Sequence, residues 1–284
     1  TIYRAYDQQG LDRQYRVTEQ VPDFADYFAE LDASSDRAAE ALDCELDVAY
    51  GDGPGEKLDI FLVRGQGAPI HVFIHGGYWR AFDKSGHRFV ARPLVGAGVA
   101  AILPNYDLCP KVTMDDIVRQ NRAAIAWTYK NAERFGGDRD RLYVSGHSAG
   151  GHLTGMMMST DWTRYGLPPD AIKGGVAISG LHDLEPIRLC FLNEDVRLDP
   201  DMAHRNSPIH NIPKSAPPQI ITVGGKESDE FRRQSRDYCD AWTAAGLDGV
   251  YLEAPGLHHV AAGASLEKAD SVIMAAILTQ MGVA

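Results

Sequence analysis

Leu142-Tyr143-Val144-Ser145-Gly146-His147-Ser148-Ala149-Gly150-Gly151-His152-Leu153 is the stretch on which the fold of this chain turns. Leu142 to Val144 is a short aromatic and β-branched run of the kind a buried strand uses. From Leu153 onward the apolar spacing is helical. Between them, Gly146-His147-Ser148-Ala149-Gly150 is a G-x-S-x-G placed where a strand hands over to a helix. Small residues are needed around such a serine because its backbone is strained and its neighbours crowd it. The turn exposes the hydroxyl, and the helix N-terminus behind it favours developing negative charge. A chain with 28 glycines can supply the five-residue match by accident. The strand-turn-helix setting argues against accident, and Ser148 is expected to be a nucleophile.

Similar apolar runs flank this stretch. Residues 45–50 and 57–63 read as an opening hairpin across Gly51-Asp52-Gly53-Pro54-Gly55. Further strands are expected at 70–75, 99–105, 141–145, 175–179, 219–223 and 250–253. Helical segments alternate with them at about 86–95, 114–135, 148–159, 229–245 and 266–281. Such alternation predicts βαβ crossovers and a mostly parallel eight-stranded sheet flanked by helices. The strands are continuous apolar runs, as expected when both sheet faces are covered. Ligands of such sheets bind outside the carboxyl ends of the strands.

No repeat or low-complexity linker divides the 284 residues, so a single domain over 1–284 is expected. Residues 1–45 are charged and helix-leaning, with a break at Val21-Pro22-Asp23 and Phe24, Tyr27, Phe28 and Leu31 at helical spacing. This segment and an insertion at about 182–218 are expected to form a small helical cap over the strand ends. Lys plus Arg number 28 against 39 for Asp plus Glu, a net charge of −11, which argues against a nucleic-acid or anionic-membrane partner. Cys44, Cys109, Cys190 and Cys239 are scattered without metal-site or redox spacing. No apolar run is long enough for a membrane span, and the first twenty residues hold no secretory h-region. A cytoplasmic location is the expectation, with a homodimer as one allowed state.

Acyl transfer needs donors for an oxyanion. Ile70-His71-Val72-Phe73-Ile74 ends in His75-Gly76-Gly77-Tyr78-Trp79, where two glycines let backbone amides turn inward. Gly76 and Gly77, with the N–H of Ala149, are expected to form the oxyanion hole, and His75 to fix the loop. Tyr78, Trp79, Phe82 and Tyr106 are expected to gather near it. Tyr78, Trp79, Tyr106 and His147 are the substrate-binding candidates. The nucleophile also needs a base, and a carboxylate to orient that base, in the chain order serine, acid, histidine. His258 and His259 follow the last strand and a Pro255-Gly256 turn, and either fits. After strand 219–223, Glu227, Asp229 and Glu230 compete; Glu227 is nearest the strand end and is preferred. Asp229 and Glu230 enter the next helix, where acids complement the dipole without any catalytic task.

With these residues the chain resembles the kynurenine formamidase (arylformamidase)-like esterases of the hormone-sensitive-lipase-like branch of α/β hydrolases. His75 to Trp79 is similar to that family's HGGYW signature, and Gly146 to Gly151 to its GHSAGG elbow. Asn105-Tyr106-Asp107-Leu108-Cys109-Pro110 resembles an NYxLxP segment, and Ser179 to Leu184 an SGxxDL segment. Gly225 to Phe231 with Gln234-Ser235 resembles GxxDSxEFxxQS, with Glu227 where the formamidases carry aspartate. The family has a leucine seven positions after its histidine, and Leu266 stands there relative to His259. The resemblance implies an α/β-hydrolase fold, a triad of Ser148, Glu227 and His259, and no cofactor or metal. It implies a small-molecule ester or amide substrate. The leading expectation is a carboxylesterase of small acyl or aryl esters, followed by hydrolysis of N-formylkynurenine or a related arylformamide.

Two readings of other classes compete. A metal-dependent amidohydrolase is suggested by ten histidines, but H-E-x-x-H is absent and no His/Asp cluster has metal spacing. A non-catalytic α/β-hydrolase-like binding protein normally carries a broken triad, and this one reads as intact.

Overall fold

The computed structural model describes residues 1–21 and 23–284; Pro22, inside the expected break, lies outside them. The strands are β1 (Cys44–Ala49), β2 (Lys57–Phe61), β3 (Ala68–Ile74), β4 (Ala100–Pro104), β5 (Gly137–His147), β6 (Gly174–Ile178), β7 (Gln219–Gly224) and β8 (Gly249–Ala254). All eight stand where the apolar runs place them, in one sheet of order β1-β2-β4-β3-β5-β6-β7-β8. The β1–β2 and β2–β4 pairs are antiparallel, and the pairs from β4 through β8 are parallel. The chain is thus an α/β-hydrolase fold.

The helices are α1 (Gln8–Tyr15), α2 (Val17–Gln20), α3 (Phe24–Ala41), α4 (Ala91–Gly96), α5 (Met114–Lys130) and α6 (Ala149–Met158). They continue as α7 (Glu185–Leu189), α8 (Asn193–Val196), α9 (Pro200–Arg205), α10 (Asp229–Ala244), α11 (His259–Ala264) and α12 (Val272–Gln280). Side chains alternate across the strands, so the sheet feeds a core on each face. Ile70, Val72 and Ile74 of β3 belong to one core with Ile117 and Ile125 of α5, Leu153 of α6 and Trp242 of α10. Phe73 points the other way, among Leu31 of α3, Leu94 of α4 and Ile273 and Ile277 of α12. α5 begins at a capping box in which Thr113 and Asp116 satisfy each other's backbone amides.

Three expected helices differ, the one at 114–135 ending as α5 at Lys130 with a separate 3-10 turn, Ala132–Phe135, after it. The segment expected at 86–95 is a tight 3-10 turn, Lys84–Val90, followed by α4. Buried Asp59 of β2 holds this turn, with Lys84 Nζ at 2.9 Å and Arg88 Nε at 2.7 Å. A buried carboxylate needs such partners, since removing one typically costs about 3–5 kcal/mol. The terminal helix expected at 266–281 is broken into a 3-10 turn, Ser265–Glu267, and α12, while an additional helix, α11, begins at His259.

Candidate active site

Only Ser148 separates β5 from α6, at φ 60° and ψ −118°, a conformation that strains any residue with a Cβ. The packing around it explains the glycines. A Cβ on Gly146 would sit 2.3 Å from the Gly150 carbonyl oxygen, and one on Gly150 would sit 1.9 Å from that of Ile74. Backbone from β3 and β5 therefore meets the first turn of α6 directly. The Ser148 N–H donates to the Ile178 carbonyl at 2.8 Å, pinning the turn to β6 as well.

β7 and β8 are zipped together beyond their ends, with Gly225 N–H donating to Ala254 (2.8 Å) and Lys226 N–H to Leu257 (2.9 Å). This brings the two loops after these strands into contact. Ser148 Oγ lies 2.9 Å from His259 Nε2, and His259 Nδ1 lies 2.6 Å from Glu227 Oε2. Because a carboxylate accepts, Nδ1 carries the proton and Nε2 is left to accept from the serine hydroxyl. The other Glu227 oxygen accepts from the Gly224 N–H at 2.7 Å and from the Ser179 hydroxyl. All three residues are buried, Ser148 at 5 %, Glu227 at 6 % and His259 at 7 % exposure.

The competing candidates are occupied elsewhere. Asp229 accepts from Arg232 at 2.9 Å, and Glu230 is held by Arg233 and the Tyr15 hydroxyl. His258 is the N-cap of α11, its Nδ1 accepting from the Ala261 N–H at 3.1 Å. The adjacent histidines thus divide two tasks: one starts the helix, and the other faces the serine.

The loop after β3 abuts the elbow, since a Cβ on Gly76 would lie 3.2 Å from that of Ser148. Gly77 has φ 110°, and a Cβ there would meet the Ala81 carbonyl oxygen at 2.1 Å, so glycine is required. Two hydrogen bonds orient its peptides. The Tyr106 hydroxyl donates to the His75 carbonyl at 2.9 Å, and His75 Nδ1 donates to the Gly76 carbonyl at 2.8 Å. In a planar trans peptide the N–H points opposite to the C=O, so the Gly76 and Gly77 N–H groups face away from those partners. Ala149 opens α6, and its N–H is among the four a helix leaves without an internal partner.

Two of the four substrate-binding candidates are not at the cavity. Trp79 is fully buried and donates from Nε1 to His152 Nδ1 at 3.1 Å, because left-handed φ values at Tyr78 (48°) and Trp79 (58°) turn the loop back into the core. Tyr106 is likewise buried and stacks flat on His75, 4.2 Å between centroids, behind the loop rather than in front of it. Tyr78 and His147 do line the cavity. The His147 ring lies 4.6 Å from that of His259, and its Nε2 donates to the His259 carbonyl at 2.9 Å. Burial, and then the neighbouring His259, hold its pKa well below the ordinary histidine value.

The cavity over Ser148 has a volume of about 440 Å³. Its walls come chiefly from the N-terminal segment (Tyr15 to Thr18, Phe24, Phe28, Leu31) and from Phe73, Phe82 and Phe89. The expected insertion at 182–218 contributes Phe191 alone, sandwiched by Arg16 and Arg80 at 4.6 and 5.8 Å. Sequence reading missed His87 and Phe191 in this wall and Ser179 behind Glu227. The SGxxDL segment that contains Ser179 was a signal for the last; the first two had none.

An elbow serine between β5 and α6, with an acid and a histidine beyond β7 and β8, defines a hydrolytic enzyme of the α/β-hydrolase class. Residues 58–165 match the family described as BD-FAE. The kynurenine formamidase of Salmo salar is 35% identical over 260 residues, 89% of this chain and 87% of that protein. Esterase LipC of Mycobacterium tuberculosis is 28% identical over 236 residues, 75% of this chain and 58% of that protein. The crystal structure of a candidate thioesterase from silicibacter sp. tm1040 superposes with TM-score 0.79 at 31% identity, covering 93% of this chain and 97% of that one. The chain belongs to the kynurenine formamidase-like esterase family. Among the described residues, no helix is long and apolar enough to cross a membrane.

Proposed function

We propose that this protein hydrolyses small acyl or aryl carboxylic esters through an acyl-enzyme on Ser148. The observation that carries the reading is the unbroken chain from Ser148 Oγ to His259 (2.9 Å) to Glu227 (2.6 Å) at the base of an apolar cavity. His259 takes the hydroxyl proton as Ser148 attacks the acyl carbonyl, and Glu227 holds the tautomer and stabilises the imidazolium. The amides of Gly76, Gly77 and Ala149 bind the oxyanion. The alcohol leaves with the proton from His259, and water, activated by the same ring, releases the acid. No step calls for a metal or an organic cofactor. The likeness to a named esterase and to a candidate thioesterase supports ester chemistry. Four cysteines without disulfide partners support a reducing, cytoplasmic setting.

The test is p-nitrophenyl acetate turnover in the presence of a chelator, with fluorophosphonate labelling of Ser148. Ser148→Ala is expected to lower kcat/KM by about 10⁴–10⁶-fold and to abolish labelling. Turnover that survives the substitution, or an unlabelled wild type, overturns the reading. Arylformamide hydrolysis is the second reading, favoured by the 35% identity to a kynurenine formamidase. A kcat/KM for N-formylkynurenine that exceeds the aryl esters by several orders of magnitude would place it first.

A further inference from the structure

Among the titratable side chains on the cavity wall that the proposed reaction does not use is His87. His87 stands in the Lys84–Val90 turn, which the buried Asp59 ion pairs anchor to β2. It lines both the main cavity and an adjoining one of about 250 Å³. Its ring sits among Phe73, Phe82 and Phe89, at centroid separations of 6.1, 6.4 and 6.2 Å. The ring of His75, the residue before Gly76, is 5.6 Å away.

The tautomer of this ring follows from its single hydrogen bond among the described residues. Nδ1 lies 3.0 Å from the Asp83 backbone carbonyl. A carbonyl only accepts, so Nδ1 carries the proton and Nε2 of the neutral ring is a bare lone pair. Burial lowers the His87 pKa below the ordinary histidine value, which keeps the ring neutral near pH 7. His147 also has one nitrogen committed to a carbonyl, but its Nδ1 is walled off by α11, where a Cβ on Gly263 would approach it to 2.9 Å. His87 therefore supplies the open imidazole acceptor of the cavity.

We propose that His87 is a specificity-determining residue that accepts a hydrogen bond from an amine or hydroxyl carried on an aromatic substrate. The phenylalanines receive the ring of such a substrate, and the lone pair in their midst reads one donor on its edge. An acceptor in apolar surroundings discriminates because a substrate without the donor leaves it desolvated and unpaired. The inference rests on ester hydrolysis at Ser148.

The experiment compares 5-amino-1-naphthyl acetate with 5-methyl-1-naphthyl acetate, which matches it in size and cannot donate. The wild type is expected to favour the amino ester by about tenfold in kcat/KM. In His87→Phe the ratio is expected to collapse to within about twofold, and in His87→Gln, whose amide oxygen accepts, to recover in part. A wild-type ratio near one, or a ratio that His87→Phe leaves unchanged, overturns the proposal. Calorimetric binding of 5-amino-1-methoxynaphthalene and 5-methyl-1-methoxynaphthalene, which lack the hydroxyl donor, to wild type and variants gives a readout that needs no turnover. If neither ester is cleaved while 5-amino-1-methoxynaphthalene binds in a His87-dependent way, the ester reading fails and the acceptor stands. Equal binding of the two ethers to the wild type sinks the acceptor.

Discussion

Around Ser148 the protein is closed in by its own backbone, whereas over the cavity it is closed by side chains. Gly146, Gly150 and Gly77 each bring backbone within a distance that a Cβ would forbid, and carbonyls of residues 74, 75, 76 and 178 are held at fixed points. The cover instead rests on Phe24, Phe28 and Phe82, the last 45 % exposed and stacked on Phe28 at 4.7 Å. A few side-chain hydrogen bonds attach the cover, such as Tyr3 to Asp183 and Gln8 to the Leu189 carbonyl. Catalysis needs donors and acceptors held to a fraction of an ångström, which backbone contact enforces. Substrate entry needs walls that yield, which half-buried aromatics allow.

Substitutions in the floor are therefore expected to change kcat and those in the cover to change KM. Glu227→Gln is expected to lower kcat about 10³–10⁴-fold, because the amide cannot hold the His259 tautomer. Asp229→Asn, which loses only the Arg232 contact, is expected to stay within about twofold of wild type. Similar losses from both would break the assignment of the acid.

The protein's buried histidines make it sensitive to acid. His71, His75 and His182 have pKa values lowered to about 3, and His152 to about 4, in each case chiefly by burial. Unfolded, each takes up a proton as pH falls through the ordinary value of about 6.5, while the folded ring stays neutral. Their stabilisation is complete above that value and is lost as pH drops from about 6.5 toward 4, by about 1.4 kcal/mol per pH unit for each ring. Urea midpoints at pH 7 and pH 5 read this directly; equal midpoints would contradict it.

Smaller effects sharpen the boundary between the regions. Tyr106→Phe frees the His75 carbonyl and is expected to lower kcat about tenfold while leaving KM within about twofold. A rise in KM alone would return Tyr106 to a substrate-binding role. Phe28→Ala removes part of the cover and is expected to raise KM for aryl esters about fivefold at unchanged kcat. A matching fall in kcat would mean that the cover also shapes the reacting geometry.

The eight strands, the strand-to-helix turn at Ser148 and a short list of carboxylates after β7 were legible because each rests on local rules: apolar runs, turn glycines and distance from a strand end. Where local rules ran out, the reading went astray. Trp79 and Tyr106 are expected at the cavity as aromatic residues gathered around the oxyanion hole. Which way they point depends on two consecutive left-handed residues and on a stacking partner thirty-one positions back, His75. The cap is expected from two segments, and among the described residues Phe191 is the only contribution of the second to the cavity wall.

The sequence by itself determined the sheet and its helices, the serine at the strand-helix junction, and a short list of acids and histidines. These follow from hydrogen bonding and burial within a dozen neighbouring residues. Only the tertiary structure decided which carboxylate meets which imidazole, that His258 caps a helix while His259 faces Ser148, and that Tyr106 lies behind the glycine loop. Those outcomes depend on where β3, β5, β7 and β8 end relative to one another. Residues far apart in sequence meet there, and no local propensity encodes the distance between them.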